Sequence, residues 1–537
     1  MHKKIVRLQK QILVVVDKMT MKNKDFLLIG MPMRELNYPP MALALLKSVL
    51  HNQGYDVAVA DANLEYFKHC GRDDPKNLVN TFHLQNTVPV TIKEIDESDF
   101  GIWSRKYLKQ LITKHNPRAI GLSVFTFKSN LAAYYMGKLI HEIAPKSVVK
   151  IIGGYGATSP LQYARELGAT PKPTLAETMV ADGIIDTYIL GDGERAIVEF
   201  MKNLDFKNPE EPRLMDNMDD IPYPDFSDLD LGSYQYANNL TLPVTGSKGC
   251  VRKCSFCDIP GKWGRFRQRP GKTIAEECIH MYETYGARTL YLTDSLTNGN
   301  MKEFIQFITH LAEMKTKKGY KDLKWTGQYI TRPAHQIPHN KDYYPLMAAS
   351  GAVGLSVGSE SGSNRVLEHM RKKMKIEDLF IELEYFRKHG ISMTAGLLPS
   401  YPTETREDFE LTLKMLKGFQ PYLADGTIIH IGGIAKWYSQ DNHNEWSRKG
   451  EEQGWYFNGS DPDMWWYKHN PELTLQERVF RRVALSKILV SYDIPSIMDE
   501  EYELKTINNW YALNQEKYDK FLNGISAYKE WKINAWA

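Results

Sequence analysis

Two alternations of short apolar strands with helices, divided by a stretch rich in Pro, Asp and Asn, predict an α/β protein. The first alternation reads as a Rossmann-like, doubly wound parallel sheet. The second reads as a partial (β/α)6, TIM-like barrel, followed by a mainly helical C-terminal segment. Apolar strands joined through helices rather than hairpins imply parallel sheets covered on both faces. A cysteine-rich loop directly after the first barrel strand fits the end where such barrels keep their chemistry.

The chain has 537 residues, and a prior of about 150 residues per domain gives three or four units. The expected parts are residues 1–204, a connection over 205–240, a barrel over 241–440 and a C-terminal segment over 441–537. In the first part, Phe26–Gly30 reads as a buried strand, Met41–Asn52 as a helix closed by Gly54, and Tyr55–Ala60 as the next strand. A polar stretch from Asp61 to about Asp99 interrupts. Strands then follow at Ala119–Phe125, Val148–Gly153 and Ile184–Leu190, with helices at Asn130–Ile143 and Glu194–Met201. Asn208-Pro-Glu-Glu-Pro-Arg and Ile221-Pro-Tyr-Pro-Asp-Phe are loop sequences and mark the connection. Barrel strands are expected at Leu242–Thr245, Thr289–Asp294, Lys324–Ile330, Val353–Gly358, Ser392–Leu397 and Thr427–Ile431. Helices lie between them, such as Met301–Glu313, Ile376–His389 and Thr405–Leu416. Beyond about residue 440 the strand rhythm stops. Trp446, Trp455, Trp465 and Trp466 read as packing against the barrel, with substrate lining as the alternative. Thr474-Leu-Gln-Glu477 is a capping-box pattern opening a helix through Val490.

Apolar content of 42% and charged content of 25% are those of a globular protein, and a net charge of +3 argues neither for nor against nucleic acid. The apolar run Ile12–Val16 ends at Asp17, too short for a signal peptide, and no stretch approaches the ~20 apolar residues of a membrane span.

Cys250, Cys254 and Cys257 lie in Thr-Gly-Ser-Lys-Gly-Cys-Val-Arg-Lys-Cys-Ser-Phe-Cys, in a chain with five cysteines. Three thiolates on one loop can hold three corners of a cubic 4Fe–4S cluster and leave one iron open to an external ligand. A structural zinc ion, the alternative, normally takes four ligands. The nearest fourth, Cys278, falls at helical spacing with Ile274, Met281 and Tyr285 and reads as core. A disulfide is disfavoured because nothing suggests secretion.

With this spacing, and with Phe256 before the last cysteine, the sequence resembles the radical S-adenosylmethionine (SAM) superfamily. The resemblance implies that Cys250, Cys254 and Cys257 ligate the cluster. It implies that SAM chelates the open iron, that the backbone at Phe256 lies near the adenine, and that one electron cleaves SAM to a deoxyadenosyl radical. Gly358-Ser-Glu-Ser-Gly362 resembles the family's Gly-x-Glu-Ser-Gly, in which Glu360 and Ser361 would contact the polar part of SAM and Gly358 would allow close approach. Glu360 also reads as an ordinary acid at a helix N-terminus. Gly396-Leu-Leu-Pro-Ser-Tyr-Pro-Thr-Glu-Thr405 resembles the fifth-strand pattern Gly-x-Pro-Gly-Glu-Thr, which places Pro399 near SAM, but its loop is longer. Asp294, in Leu292-Thr-Asp-Ser, resembles an Asp-rich turn of the cobalamin-linked subgroup and reads equally as a helix cap. An oxygen-sensitive cluster points to the cytoplasm, and the family needs an external one-electron reductant such as flavodoxin or ferredoxin.

The N-terminal part resembles the cobalamin-binding domain found upstream of many such enzymes. The match is carried by Ile120-Gly-Leu-Ser-Val-Phe-Thr126, Ile151-Ile-Gly-Gly-Tyr155 and Ile189-Leu-Gly-Asp-Gly-Glu194. It implies that Ser123, Thr126, Gly153, Gly154, Gly191 and Glu194 line a cobalamin site. The Asp-x-His-x-x-Gly motif for an axial histidine is missing, since Val49 stands at the Asp position before His51 and Gly54. A structural Rossmann-like domain is the alternative.

Together these features predict a cobalamin-dependent radical SAM methyltransferase acting on an unactivated carbon of a small-molecule or peptide substrate. A cyclase, rearrangement or sulfur-insertion enzyme without cobalamin is the second expectation, and a non-enzymatic iron–sulfur sensor the third. Methylthiotransfer is disfavoured, because Cys70 is the sole cysteine upstream of the loop.

Overall fold

A computed structural model describes residues 23–32, 36–71, 92–158, 173–204, 207–209, 213–234, 237–257, 259–337, 340–431, 450–458, 461–494 and 500–536. These residues fall into two compact units, the first ending at Pro243 and the second running from Val244. Trp446 and the apolar run at Ile12–Val16 lie outside the described residues.

The first unit is a five-stranded parallel sheet of β1 (Phe26–Gly30), β2 (Val57–Asp61), β3 (Ala119–Ser123), β4 (Val149–Gly153) and β5 (Thr187–Tyr188). Its order is β2-β1-β3-β4-β5. Phe26 pairs with Val57 on one side and Ala119 on the other. β1 is buried along its whole length, which its all-apolar sequence dictates for a strand covered on both faces. This order places the topological switch between β1 and β3, so a ligand crevice opens beyond their carboxyl ends. β5 is far shorter than the seven residues expected, because Ile184 and Ile185 are buried in the turn ahead of the sheet.

The stretch expected as the interdomain connection packs on this unit. Met215, Met218 and Ile221 join Leu45 in one apolar cluster. Lys47 pairs with Asp225 and Asp228 at 3.0 and 2.8 Å, and the Tyr234 hydroxyl donates to Asp61 at 2.7 Å. Prolines here make an irregular cover.

The second unit holds a six-stranded sheet that sets side by side, in order, Ile428–Ile431, Ser392–Leu397, Ala352–Glu360, Lys324–Tyr329, Thr289–Leu292 and Thr241–Val244. Its strands are β6 (Thr241–Val244), β9 (Thr289–Leu292), β10 (Lys324–Tyr329), β11 (Ala352–Glu360), β12 (Ser392–Leu397) and β13 (Ile428–Ile431). Two short strands, β7 (Ser247–Lys248) and β8 (Arg267–Gln268), pair antiparallel within the first crossover. Neighbours from β9 to β13 are parallel. Helices Gly271–Tyr285, Met301–Lys318, Asn340–Ser350, Ile376–Lys388 and Arg406–Phe419 connect them, which is the expected partial barrel.

The C-terminal segment corrects one expectation: it opens with a hairpin of β14 (Trp455–Asn458) and β15 (Asp461–Tyr467). The Trp-Trp-Tyr run hides strand alternation because Trp465 and Trp466 are both buried, on opposite faces. Helices Leu475–Ser491, Glu500–Asn523 and Ser526–Trp536 follow, the first capped by Thr474. Among the described residues no helix is long and apolar enough to cross a membrane.

Candidate active site

The cysteine loop leaves the end of β6 and is tied down at each turn. The backbone N–H groups of Gly246 and Ser247 donate to Asp294 Oδ1 at 2.7 and 2.9 Å. Asp294 is therefore a buried clamp on the loop's entry, not a helix cap; Asn300 caps the following helix. Burial pushes its carboxyl up to about 6, against the pull of those two donors. The β7–β8 pair closes the loop's base. Gly249, with φ of 81°, turns the chain into Cys250, where a Cβ would press on the Arg265 backbone. Farther along, Ser255 donates its N–H to the Met370 carbonyl at 3.1 Å and its Oγ lies 2.7 Å from the Tyr401 hydroxyl. His369 Nδ1 is 3.1 Å from the same hydroxyl.

Cys250, Cys254 and Cys257 are half-buried, while Cys278 is wholly buried in the core as expected. Burial raises the thiols of Cys250 and Cys254, and the nearby Lys372 and Arg252 charges pull them back toward the thiolate. Among the described residues no three His, Cys, Asp or Glu side chains converge on a single-ion site. The donor set, soft thiols on one loop with cations around it, fits the corners of an anionic cluster.

Glu360 ends β11 in the left-handed region, with φ of 60°. Its carboxylate is bound by Lys372 Nζ at 2.9 Å, and both are nearly buried. Lys372 also stands 5.9 Å from the Phe256 ring centre. Burial opposes its charge, yet Glu360 and the thiols of Cys254 and Cys257 outweigh burial and hold its pKa above the usual value. Arg371 and Lys373, on either side, have φ of 60° and 52°. Three non-glycine residues in this conformation at one place mark a backbone held against its preference. A Cβ on Gly358 would collide with the Glu360–Lys372 pair, which accounts for that glycine. Ser361 is fully buried, its Oγ accepting from the Ser363 N–H at 3.2 Å, so its hydroxyl braces the turn. Glu360 is thus not a helix N-terminal acid, since Ser363 caps the next helix.

Pro399 is buried just past β12. Ser400 follows with φ of 65°, taking the left-handed conformation that a Gly favours. Its N–H donates to Glu404 at 2.8 Å, and Glu404 pairs with Arg481 of the C-terminal helix at 3.0 Å. The Trp hairpin lies on the same region: Trp455, Trp465 and Tyr467 share a cluster with Leu367, Met370 and Tyr401, and Phe256 packs against it. The fully buried Trp455 and Trp465 stack at 4.5 Å, which makes them packing residues. Lys372 and Tyr401 were not legible in the sequence as site residues. Lys372 sits in a basic run that reads as solvated surface.

In the first unit, Ser123 and Gly153 pair as the last residues of β3 and β4, and Thr126 and Gly154 follow just past them. Gly154 has φ of 98°, and a Cβ there would strike the Val124 carbonyl; a Cβ on Gly156 would strike the Thr126 backbone. The glycines thus let two strand-end loops touch. Beside them Phe125 is 66% exposed. Gly191 and Glu194 differ. Gly191 bridges to the Arg213 backbone, which explains its lack of a side chain, and Glu194 is buried.

Residues 244–416 match the family described as the radical SAM superfamily. These residues form a radical SAM domain, of an enzyme family whose cofactors are a 4Fe–4S cluster and SAM. An uncharacterized methyltransferase of Pyrococcus horikoshii is 24% identical over 330 residues, covering 60% of this chain and 68% of the relative. An anaerobic magnesium-protoporphyrin IX monomethyl ester cyclase of Rubrivivax gelatinosus is 23% identical over 350 residues, covering 60% of this chain and 58% of its own length. Among solved structures, the radical SAM methyltransferase TsrM of Kitasatospora setae, with cobalamin and a [4Fe–4S] cluster bound, superposes with a TM-score of 0.50 at 16% identity. It covers 76% of this chain and 72% of that one. That likeness is one of fold.

Proposed function

We propose that this radical SAM enzyme is a cobalamin-dependent methyltransferase acting on an unactivated carbon. The observation that carries the reading is the pairing, in one chain, of a cation-flanked three-thiol loop with a β2-β1-β3-β4-β5 sheet. The strand ends of that sheet are pared to backbone beside the exposed Phe125. Cys250, Cys254 and Cys257 would hold three cluster irons. Phe256, Gly358, Glu360, Ser361 and Pro399 would shape the SAM side, with Asp294 fixing the loop. Ser123, Thr126, Gly153 and Gly154 would floor a flat macrocycle. When bound, these groups supply one-electron cleavage of SAM and a carried methyl group. The chain's own work is to orient them, and to exclude water with the Trp hairpin packed over Phe256. The name of the Pyrococcus relative supports methyl transfer. The Rubrivivax relative favours a cyclase as the second reading. A cytoplasmic site and a flavodoxin or ferredoxin as electron donor belong to the same proposal.

The test is anaerobic purification with cobalamin supplied, then iron, sulfide and cobalamin analysis and incubation with SAM and reductant. One cluster, one cobalamin, and formation of both deoxyadenosine and S-adenosylhomocysteine are expected. A cluster with deoxyadenosine but no cobalamin would turn the reading to cyclisation or rearrangement. A cluster that never cleaves SAM would leave an iron–sulfur sensor.

A further inference from the structure

Arg252 lies between Cys250 and Cys254, and its Nε and Nη2 are buried without a hydrogen-bond partner. Those two nitrogens share one edge of the guanidinium plane, the edge that offers parallel N–H groups to a carboxylate. Arg332 follows β10. Its Nη2 donates to the carbonyls of Asn298 and Gly299 at 2.8 and 3.0 Å, while its Nε is also buried and unpartnered. Asn298 is itself pinned, donating to the Ile330 carbonyl at 2.8 Å and accepting from the Ile330 N–H at 3.1 Å. Arg332 is therefore held in place.

The charges acting on Arg252 are those of Arg332, Cys254 and Cys250, with no carboxylate among them. Lys372, the third cation at this loop, differs, because Glu360 answers it at 2.9 Å. Two like charges that act on each other, each with buried N–H groups left unpartnered and no acid of the chain acting on Arg252, call for an anion from outside.

We infer that Arg252 and Arg332 form a clamp for a carboxylate bound beside the cysteine loop, belonging either to SAM or to the substrate. The bidentate edge of Arg252 takes both oxygens, and Arg332 adds one donor and a second charge. The inference rests on the reading of the three cysteines as cluster ligands.

The full chain, reconstituted anaerobically, is first analysed for iron and sulfide, so failure of the cluster reading registers separately. SAM and decarboxylated SAM are then titrated calorimetrically into wild type, Arg252→Met and Arg332→Met. The electron paramagnetic resonance signal of the reduced, SAM-loaded cluster is recorded with acetate and with acetamide. If the carboxylate is SAM's, Arg252→Met weakens SAM about 10- to 100-fold and leaves decarboxylated SAM unchanged. If it is the substrate's, SAM affinity is unaltered, acetate but not acetamide shifts the wild-type signal, and both variants lose that shift. The clamp is overturned if both variants bind SAM and respond to acetate as wild type does. It is equally overturned if their only change is in iron content or in the ligand-free signal, which would make the arginines counter-charges of the cluster. Arg332→Met lies outside the cysteine loop and decides the matter should Arg252→Met fail to hold iron.

Discussion

The two strand-end sites are built by opposite means. In the second unit the cysteine loop is surrounded by side chains that are aimed and answered: Asp294 on two N–H groups, Ser255 on Tyr401, Lys372 on Glu360. In the first unit the corresponding end is built by removing side chains, as Gly154 and Gly156 let the backbones beyond β3 and β4 touch. A site that must hold a charged centre needs fixed donors and counter-charges. A site that must receive a broad flat face needs a floor. On the proposed reading, one architecture, strand ends of a parallel sheet, would serve two ligand shapes by adding or subtracting side chains.

The sharpest way to break this comparison is Cys254→Ala. It should abolish cluster assembly, read as iron and sulfide near background, while cobalamin retention by the first unit stays at the wild-type level. Lys372→Met comes next. It strands Glu360 without a counter-charge and should cost about 3–5 kcal/mol in urea unfolding followed by tryptophan fluorescence, most of it recovered when Glu360→Gln is added. Gly154→Ala tests the other site. Its left-handed backbone and the Val124 carbonyl should make the change cost about 2–4 kcal/mol and lower cobalamin retention, with iron content unmoved.

Asp294 gives a pH signature. Its folded pKa, about 6, lies above the unfolded value near 3.8. Its contribution is therefore fully present below pH 4 and falls as pH rises through 6. Wild type should lose on the order of 2–3 kcal/mol across that window, and Asp294→Asn should flatten the slope in unfolding curves at pH 4.5 and 7.5. The smallest effect is Ser400→Gly, which relieves a left-handed serine and should gain about 1 kcal/mol in the same assay.

Much of this was legible beforehand where one physical signal dominates. Phe26–Gly30 begins and ends where its apolar run does, because a strand covered on both faces has to be apolar throughout, and Ser392–Leu397 shows the alternating burial of Met393, Ala395 and Leu397. The cysteine loop was legible from spacing alone. The Trp hairpin was not, since three aromatics buried in succession carry no alternation. Lys372 was not, because a basic run looks the same whether solvated or folded over a carboxylate twelve residues away. The packing of the connection expected over 205–240 was not legible, because prolines signal irregularity, and irregularity says nothing about burial. The longer loop after Pro399 keeps a left-handed residue in place with Ser400, at some cost in strain.

The cover over Phe256 comes from far down the chain. Trp455 and Trp465 are translated about 200 residues after the cysteines, an interval of roughly 10–40 s at ordinary ribosome speeds. Through that time Phe256 lacks this packing, and after it the hairpin and the Glu404–Arg481 pair can settle against the turns that hold the loop. The order of synthesis thereby makes the final setting of the loop wait on a segment made long after the cysteines.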